Sequence, residues 1–206
     1  MNRRGILLFT LVFLVCLSSS YANITNLVYA DDGDGAFVCS NPGSWSGSTN
    51  ELSVGVTGKQ CWAPGHLLLN IYTDGADDPT LKNDNSIEND TSFAWTEFTV
   101  NLTMAVQFTL TNVDVSVPGS WSVVSFDQTA NYTGSNYLAT VVYNTGPAIP
   151  NDGTSTIDFG YWVKFSGSPS YVLTQEMIPV PEPSTLVLLA FGGLFLARFA
   201  SRRSRK

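Results

Sequence analysis

The chain has 206 residues, 44% of them hydrophobic and only 13% charged, with ten Lys and Arg against seventeen Asp and Glu. The cations crowd the two ends: Arg3 and Arg4, then Arg198, Arg202, Arg203, Arg205 and Lys206, which leaves Lys59, Lys82 and Lys164 among sixteen acidic residues between positions 31 and 176, a net charge of −13. Such a body argues against nucleic acid as a partner, because phosphate neutralisation needs clustered cations. With the end segments set aside, about 155 residues remain, enough for one domain with its own core.

The N-terminus reads as a secretory signal peptide over residues 1–22. Arg3 and Arg4 give a positive start, residues 6–17 form a twelve-residue apolar run, and Ser20-Tyr21-Ala22 places small residues at −3 and −1 of a cut after Ala22. Val28-Tyr29-Ala30 offers a second, weaker site. The apolar run is short for a membrane span, which needs about twenty residues. Arg3-Arg4 and Cys16 hint at twin-arginine export and lipidation, but both patterns fit loosely, since Val15 stands where a lipidation site wants a small residue. Removal of Cys16 with the leader leaves Cys39 and Cys61, an even pair that an oxidising compartment would join as a disulfide; the alternative is two buried thiols.

Residues 23–178 are rich in Thr, Val, Ser, Asn and aromatics, and are predicted to be all-β. Short strands are expected over residues 52–57 and 66–73, followed by a turn at 74–79. The strongest alternation runs through Phe98, Val100, Leu102, Met104, Val106, Phe108 and Leu110. Its phase slips after Asn112, where Val113, Val115 and Val117 take over, so a bulge or bend is expected there. Further strands fall at 121–126, 137–143, 157–165 and 171–177, separated by turn-rich segments at 131–134 and 146–153. Pro-Gly-Ser-Trp-Ser occurs at 42–46 and 118–122; the flanks agree poorly, so these read as two similar turns into strands rather than a duplication. Seven or more strands without a helix predict an antiparallel β-sandwich, jelly-roll-like in outline.

Catalytic chemistry is weakly signalled. His66 is the single histidine, which leaves little for a triad or a His-metal centre, and Gly43-Ser44-Trp45-Ser46-Gly47 misplaces its serines for a nucleophile elbow. Two acidic loops, residues 31–35 and 74–90, carry the hard oxygen donors that calcium takes, with Asp74, Asp77, Asp78 and Asp84 as candidate ligands. Neither fits EF-hand spacing, and the plainer reading is a solvated acidic surface. Apart from calcium, no cofactor is expected. Sequons begin at Asn23, Asn89, Asn101 and Asn131, as a chain rich in Asn and Thr would show by composition. Trp45, Trp62, Tyr72, Trp95, Trp121 and Trp162 are either core residues or a platform for sugar rings; Trp162 is the most suggestive, because it faces away from Ile157, Phe159 and Tyr161.

The last segment, residues 179–206, has three parts in order. Val180-Pro181-Glu182-Pro183-Ser184 is an extended, proline-held peptide, residues 186–197 are apolar, and Arg198, Arg202, Arg203, Arg205 and Lys206 form a basic end that stays cytoplasmic. This tail resembles the PEP-CTERM sorting signal, a Pro-Glu-Pro motif before a short transmembrane helix and an Arg-rich end. The resemblance implies processing near the motif by an exosortase, a membrane-embedded enzyme, and transient residence in the inner membrane. It also implies delivery to the surface or polysaccharide matrix of a Gram-negative bacterium. The resulting expectation is an exported, non-enzymatic β-sandwich with a structural or adhesive role. A carbohydrate-binding module and a hydrolase built on paired carboxylates are the rivals.

Overall fold

The computed structural model describes residues 24–31, 33–41, 45–48, 51–73, 80–144, 146–165 and 170–182. Among these residues all regular structure is β, in two sheets. Sheet A is ordered β1 (Ile24–Asp31), β5 (Gly65–Thr73), β13 (Ser170–Pro181), β7 (Trp95–Met104), β11 (Tyr137–Asn144) and β10 (Asn131–Tyr132), with β9 (Ser122–Phe126) also paired to β11. Sheet B is ordered β2 (Phe37–Asn41), β4 (Glu51–Gln60), β6 (Thr80–Asn89), β12 (Thr156–Phe165) and β8 (Phe108–Val117), with β3 (Trp45–Ser48) also on β4.

Period-two patterning decides which face each strand buries. Leu52, Val54 and Val56 on β4 and Ile157, Phe159, Tyr161 and Val163 on β12 point inward from sheet B; Phe98, Val100, Leu102 and Met104 on β7 point inward from sheet A. The layers meet through aromatic rings, with Phe159 centred 5.7 Å from Phe98 and 5.2 Å from Tyr143. Each such fully buried side chain contributes about 1.5–3 kcal/mol relative to exposure.

The β-sandwich expected from the sequence is thus present as two face-to-face sheets, but not every pairing is antiparallel. β4 and β6 run parallel, from Glu51 opposite Thr80 to Gln60 opposite Asn89. The chain leaves sheet B after β4, crosses sheet A as β5 and returns as β6 in the original direction, so the two strands of sheet B must align.

Two expectations about strand placement are corrected. The alternation from Phe98 to Leu110 is two strands in different sheets, β7 and β8, separated at residues 105–107. The break keeps the apolar phase and contains neither Gly nor Pro, which hides it from a periodicity argument. The segment taken as an acidic loop, residues 74–90, contains β6, a central strand of sheet B. Its inward positions are Leu81, Asn83, Asn85, Ile87 and Asn89, three of them polar, so no apolar stripe announces it. By contrast, Asn112 does sit at a bulge: it has φ 49°, and the β8–β12 register shifts between Gly160 and Trp162.

The expected Cys39–Cys61 disulfide is absent, and the ladder explains why. Cys39 on β2 faces Gly58 on β4, while the Cys61 amide bonds to Ala36 O at 2.7 Å. Three residues of strand separate the cysteines by about 10 Å, beyond the roughly 7 Å that a disulfide spans between Cα atoms. Cys39 instead packs against the core, its Sγ 3.8 Å from Thr57 O.

The leader with Ala22, Asp74, Asp77, Asp78, Pro183, Ser184, the apolar run and the basic residues Arg198, Arg202, Arg203, Arg205 and Lys206 lie outside the described residues. Among those described, no helix is long and apolar enough to cross a membrane.

Candidate functional site

Two features of the surface bear on function: the junction where the last strand meets the Pro-Glu-Pro peptide, and a groove on the outer face of sheet B.

The junction follows from the position of β13. This last strand is internal to sheet A, pairing with β5 from Ser170 to Met177 and with β7 from Thr174 to Pro181. Leu173, Gln175 and Met177 are fully buried. Beyond Met177 the partner β5 has ended, so Pro179 and Pro181 fall where the ladder has a neighbour on one side only, and a missing N–H is tolerated there. Thr96 caps the end: its hydroxyl lies 3.3 Å from Val180 O and 3.4 Å from Pro181 O. Glu182, half-buried, follows directly.

The groove is produced by register. Gly55, Asp84, Gly160 and Asp114 form one row across β4, β6, β12 and β8, and Thr57, Ser86 and Asp158 form the next. The bulge at Asn112 matters here, because the slip turns Val113 and Val115 toward the core and Asp114 and Ser116 outward. Two glycines in a four-residue row leave a trough of about 470 Å³. A Cβ built on Gly160 would lie 2.8 Å from Asp114 Oδ1 and 2.9 Å from Asp84 Oδ1, so those two oxygens are within 6 Å of each other. Asp158 Oδ1 accepts a 2.6 Å bond from Ser86 Oγ.

The nearby cations are already engaged. Lys82 Nζ bonds Glu51 Oε2 at 2.7 Å and lies 4.3 Å over the Trp162 ring, while Lys59 Nζ bonds Glu88 Oε1 at 2.6 Å. The groove is therefore an acceptor-rich trough lined by three carboxylates and the hydroxyls of Thr57, Ser86 and Ser116, suited to hydroxyl or amine donors and unsuited to phosphate. Sequence reasoning placed Asp84 in a calcium loop; the structure places it on strand β6, with Gly160 between it and Asp114. Among the described residues no three His, Cys, Asp or Glu side chains cluster closely enough to hold a metal ion. Asp114 and Asp158 were missed because the pairing of β6, β12 and β8 brings them together, and nothing in their sequence spacing signals it.

The remaining candidates disperse. Trp95 and Trp121 are core residues, with Trp95 Nε1 bonded to Thr91 Oγ1 at 3.0 Å. Trp62 and Tyr72, 56% and 43% exposed, stand at opposite ends of β5 and share no platform. Trp162 is half-buried on the outer face as expected, with one side of its indole occupied by Lys82. The side chain of Trp45 lies outside the description. His66 pairs with Glu176 on the neighbouring strand, Nε2 to Oε1 3.5 Å. Of the sequons, Asn89 is buried in bonds to Phe93 O and Ile149 O, and Asn101 bonds Glu176 and Thr140; Asn131 is exposed.

The two-sheet domain thus ends on an internal strand, β13, whose last residue Pro181 is the first residue of the Pro-Glu-Pro sequence. Residues 179–206 match the family model of the PEP-CTERM protein-sorting motif, which supports a PEP-CTERM domain-containing protein. The motif implies export, a membrane-anchored precursor and processing by exosortase-type machinery. No curated protein and no solved structure matches the chain.

Proposed function

We propose that this protein is displayed at the cell surface or in the extracellular polysaccharide matrix once its anchor is removed, and that its β-sandwich serves a structural or adhesive role without catalysis. The observation that carries this reading is the sorting motif matched at residues 179–206, attached without a linker to an acidic all-β domain. An excess of acidic charge keeps such a domain soluble by self-repulsion. The experiment is fractionation of native cells expressing the chain with Pro181, Glu182 and Pro183 replaced by alanine. The variant is expected in the inner membrane as the uncleaved precursor; its normal release would sink the sorting reading.

The groove favours a second reading, a module that holds matrix sugar. Its carboxylates and hydroxyls accept and donate hydrogen bonds as sugar hydroxyls require, and Trp162 lies one register row away. Titration of the purified protein with surface polysaccharide tests it: affinity should fall at least tenfold in both Asp114→Ala and Trp162→Ala, and unchanged binding in the two variants removes the groove from the account. A hydrolase draws less support. Asp84 and Asp114 stand on an open, solvent-exposed sheet face.

A further inference from the structure

The sorting motif and the folded domain share residues. The motif match begins at residue 179, yet β13 continues to Pro181, with Pro179 opposite Phe98, Val180 opposite Glu97 and Pro181 opposite Trp95. Pro179 is buried, as are Phe98 and Trp95 across from it. Proline at 179 has no N–H to give, so strand alternation turns the amides of its neighbours Ile178 and Val180 toward β7. The Thr96 hydroxyl reaches the carbonyls of Val180 and Pro181. A processing enzyme needs an extended peptide it can surround. Residues zipped into a ladder and packed on a buried tryptophan are not such a peptide.

We infer that the head of the motif is the closing rung of sheet A, so that the cut releasing the anchor falls C-terminal to Pro181 and the mature ectodomain keeps all of β13. The inference rests on the reading of the tail as an exosortase signal. Hydrolysis there breaks one peptide bond, water supplying a hydroxyl to the acyl carbon and a proton to the leaving amine. There is a consequence for the order of events. β13 inserts between β5 and β7, strands made much earlier in the chain, so sheet A cannot close until residue 181 has crossed the membrane. Folding and the exposure of the cleavable peptide are thereby coupled at one position.

Two measurements test this. The first is intact mass of the processed protein from the surface fraction of native cells. Chains that end at Pro181 or later and have lost the basic end support the inference; chains ending at Val180 or earlier overturn it while leaving the sorting reading intact. A mass retaining residues 184–206 overturns both. The second is hydrogen exchange on the purified full-length precursor in detergent, which does not depend on processing. The amides of Ile178 and Val180 should exchange at least tenfold more slowly than in an unstructured peptide, and exchange at the unprotected rate overturns the closing-rung role whatever the mass of the mature chain.

Discussion

Asn83 on β6 donates from Nδ2 to Gln175 Oε1 on β13 at 3.2 Å, bridging the two sheets through the core. The same Nδ2 lies 2.7 Å from the Tyr161 hydroxyl, which in turn donates to Gln175, and Gln175 Nε2 reaches Asn85 Oδ1 at 3.2 Å. All four side chains are buried, so each lost partner strands a polar group without water. Gln175→Leu should therefore destabilise the domain by about 1–3 kcal/mol, and Asn83→Leu by a similar amount. The double variant should cost less than the sum, with a coupling of about 0.5–3 kcal/mol in a urea-unfolding cycle. Simple additivity would mean that the network does not tie the sheets together.

The same residues show how far the sequence could be read. Strands with an apolar inward face, such as β4, β12 and β13, were legible from alternation, and the phase slip at Asn112 announced the bulge. β6 was not, because its inward face is built from Asn83, Asn85 and Asn89 and its outward face from Lys82, Asp84, Ser86 and Glu88. The burial of Asn83 and Asn85 is affordable only because partners on β12 and β13 arrive 78 to 92 residues further along the chain, while Asn89 is satisfied by Phe93 O and Ile149 O. The groove shares this origin. Gly55, Asp84, Asp114 and Gly160 are scattered over more than a hundred positions, and register alone aligns them. The sorting motif matched at residues 179–206 was legible, since a peptide signal has to be carried in contiguous residues.

Cys39 and Cys61 should behave as thiols. The intact mass of the exported protein should be the same with and without reductant, and dithiothreitol should leave the thermal midpoint unchanged. Burial, and then the nearby Asp90 carboxylate, push the Cys61 thiol above its ordinary value. Its alkylation by iodoacetamide at pH 8 should accordingly be slower than that of a free cysteine, because the thiolate is the reactive form. A loss of two hydrogens in the oxidised protein would show that the β2–β4 register differs from the one described.

Asp152 organises the turn before β12. Its Oδ1 accepts from Thr154 N at 2.9 Å and Ser155 N at 2.7 Å, and its Oδ2 accepts from Ser155 Oγ at 2.9 Å. The two backbone amides are the main cause of a carboxyl lowered to about 2, with the two hydroxyls adding to it. The folded value lies below the unfolded one, so this group stabilises the domain above about pH 4, and its contribution disappears as pH falls toward 2. A carboxyl-detected NMR titration should find the Asp152 midpoint near 2. Asp152→Asn should reduce the loss of stability between those pH values, and a wild-type midpoint close to 4 would contradict the turn geometry.

Two glycines on β4, three residues apart, should respond to the same substitution with opposite signs. A Cβ on Gly58 would fall 2.2 Å from Phe37 Cζ and 2.9 Å from Val38 O, one atom belonging to a fully buried ring and the other to backbone. Neither neighbour can withdraw without opening the β2–β4 ladder or the core beneath it, so Gly58→Ala should cost about 1–3 kcal/mol. A Cβ on Gly55 meets nothing within 4 Å, because it points into the groove. There the entropic disadvantage of glycine in a strand dominates, and Gly55→Ala should stabilise by about 0.5–1 kcal/mol. Thermal unfolding of the two variants separates the cases. If Gly58→Ala melts at the wild-type temperature, Phe37 is not packed on β4 as described; if Gly55→Ala melts lower, the groove floor is occupied by something other than solvent.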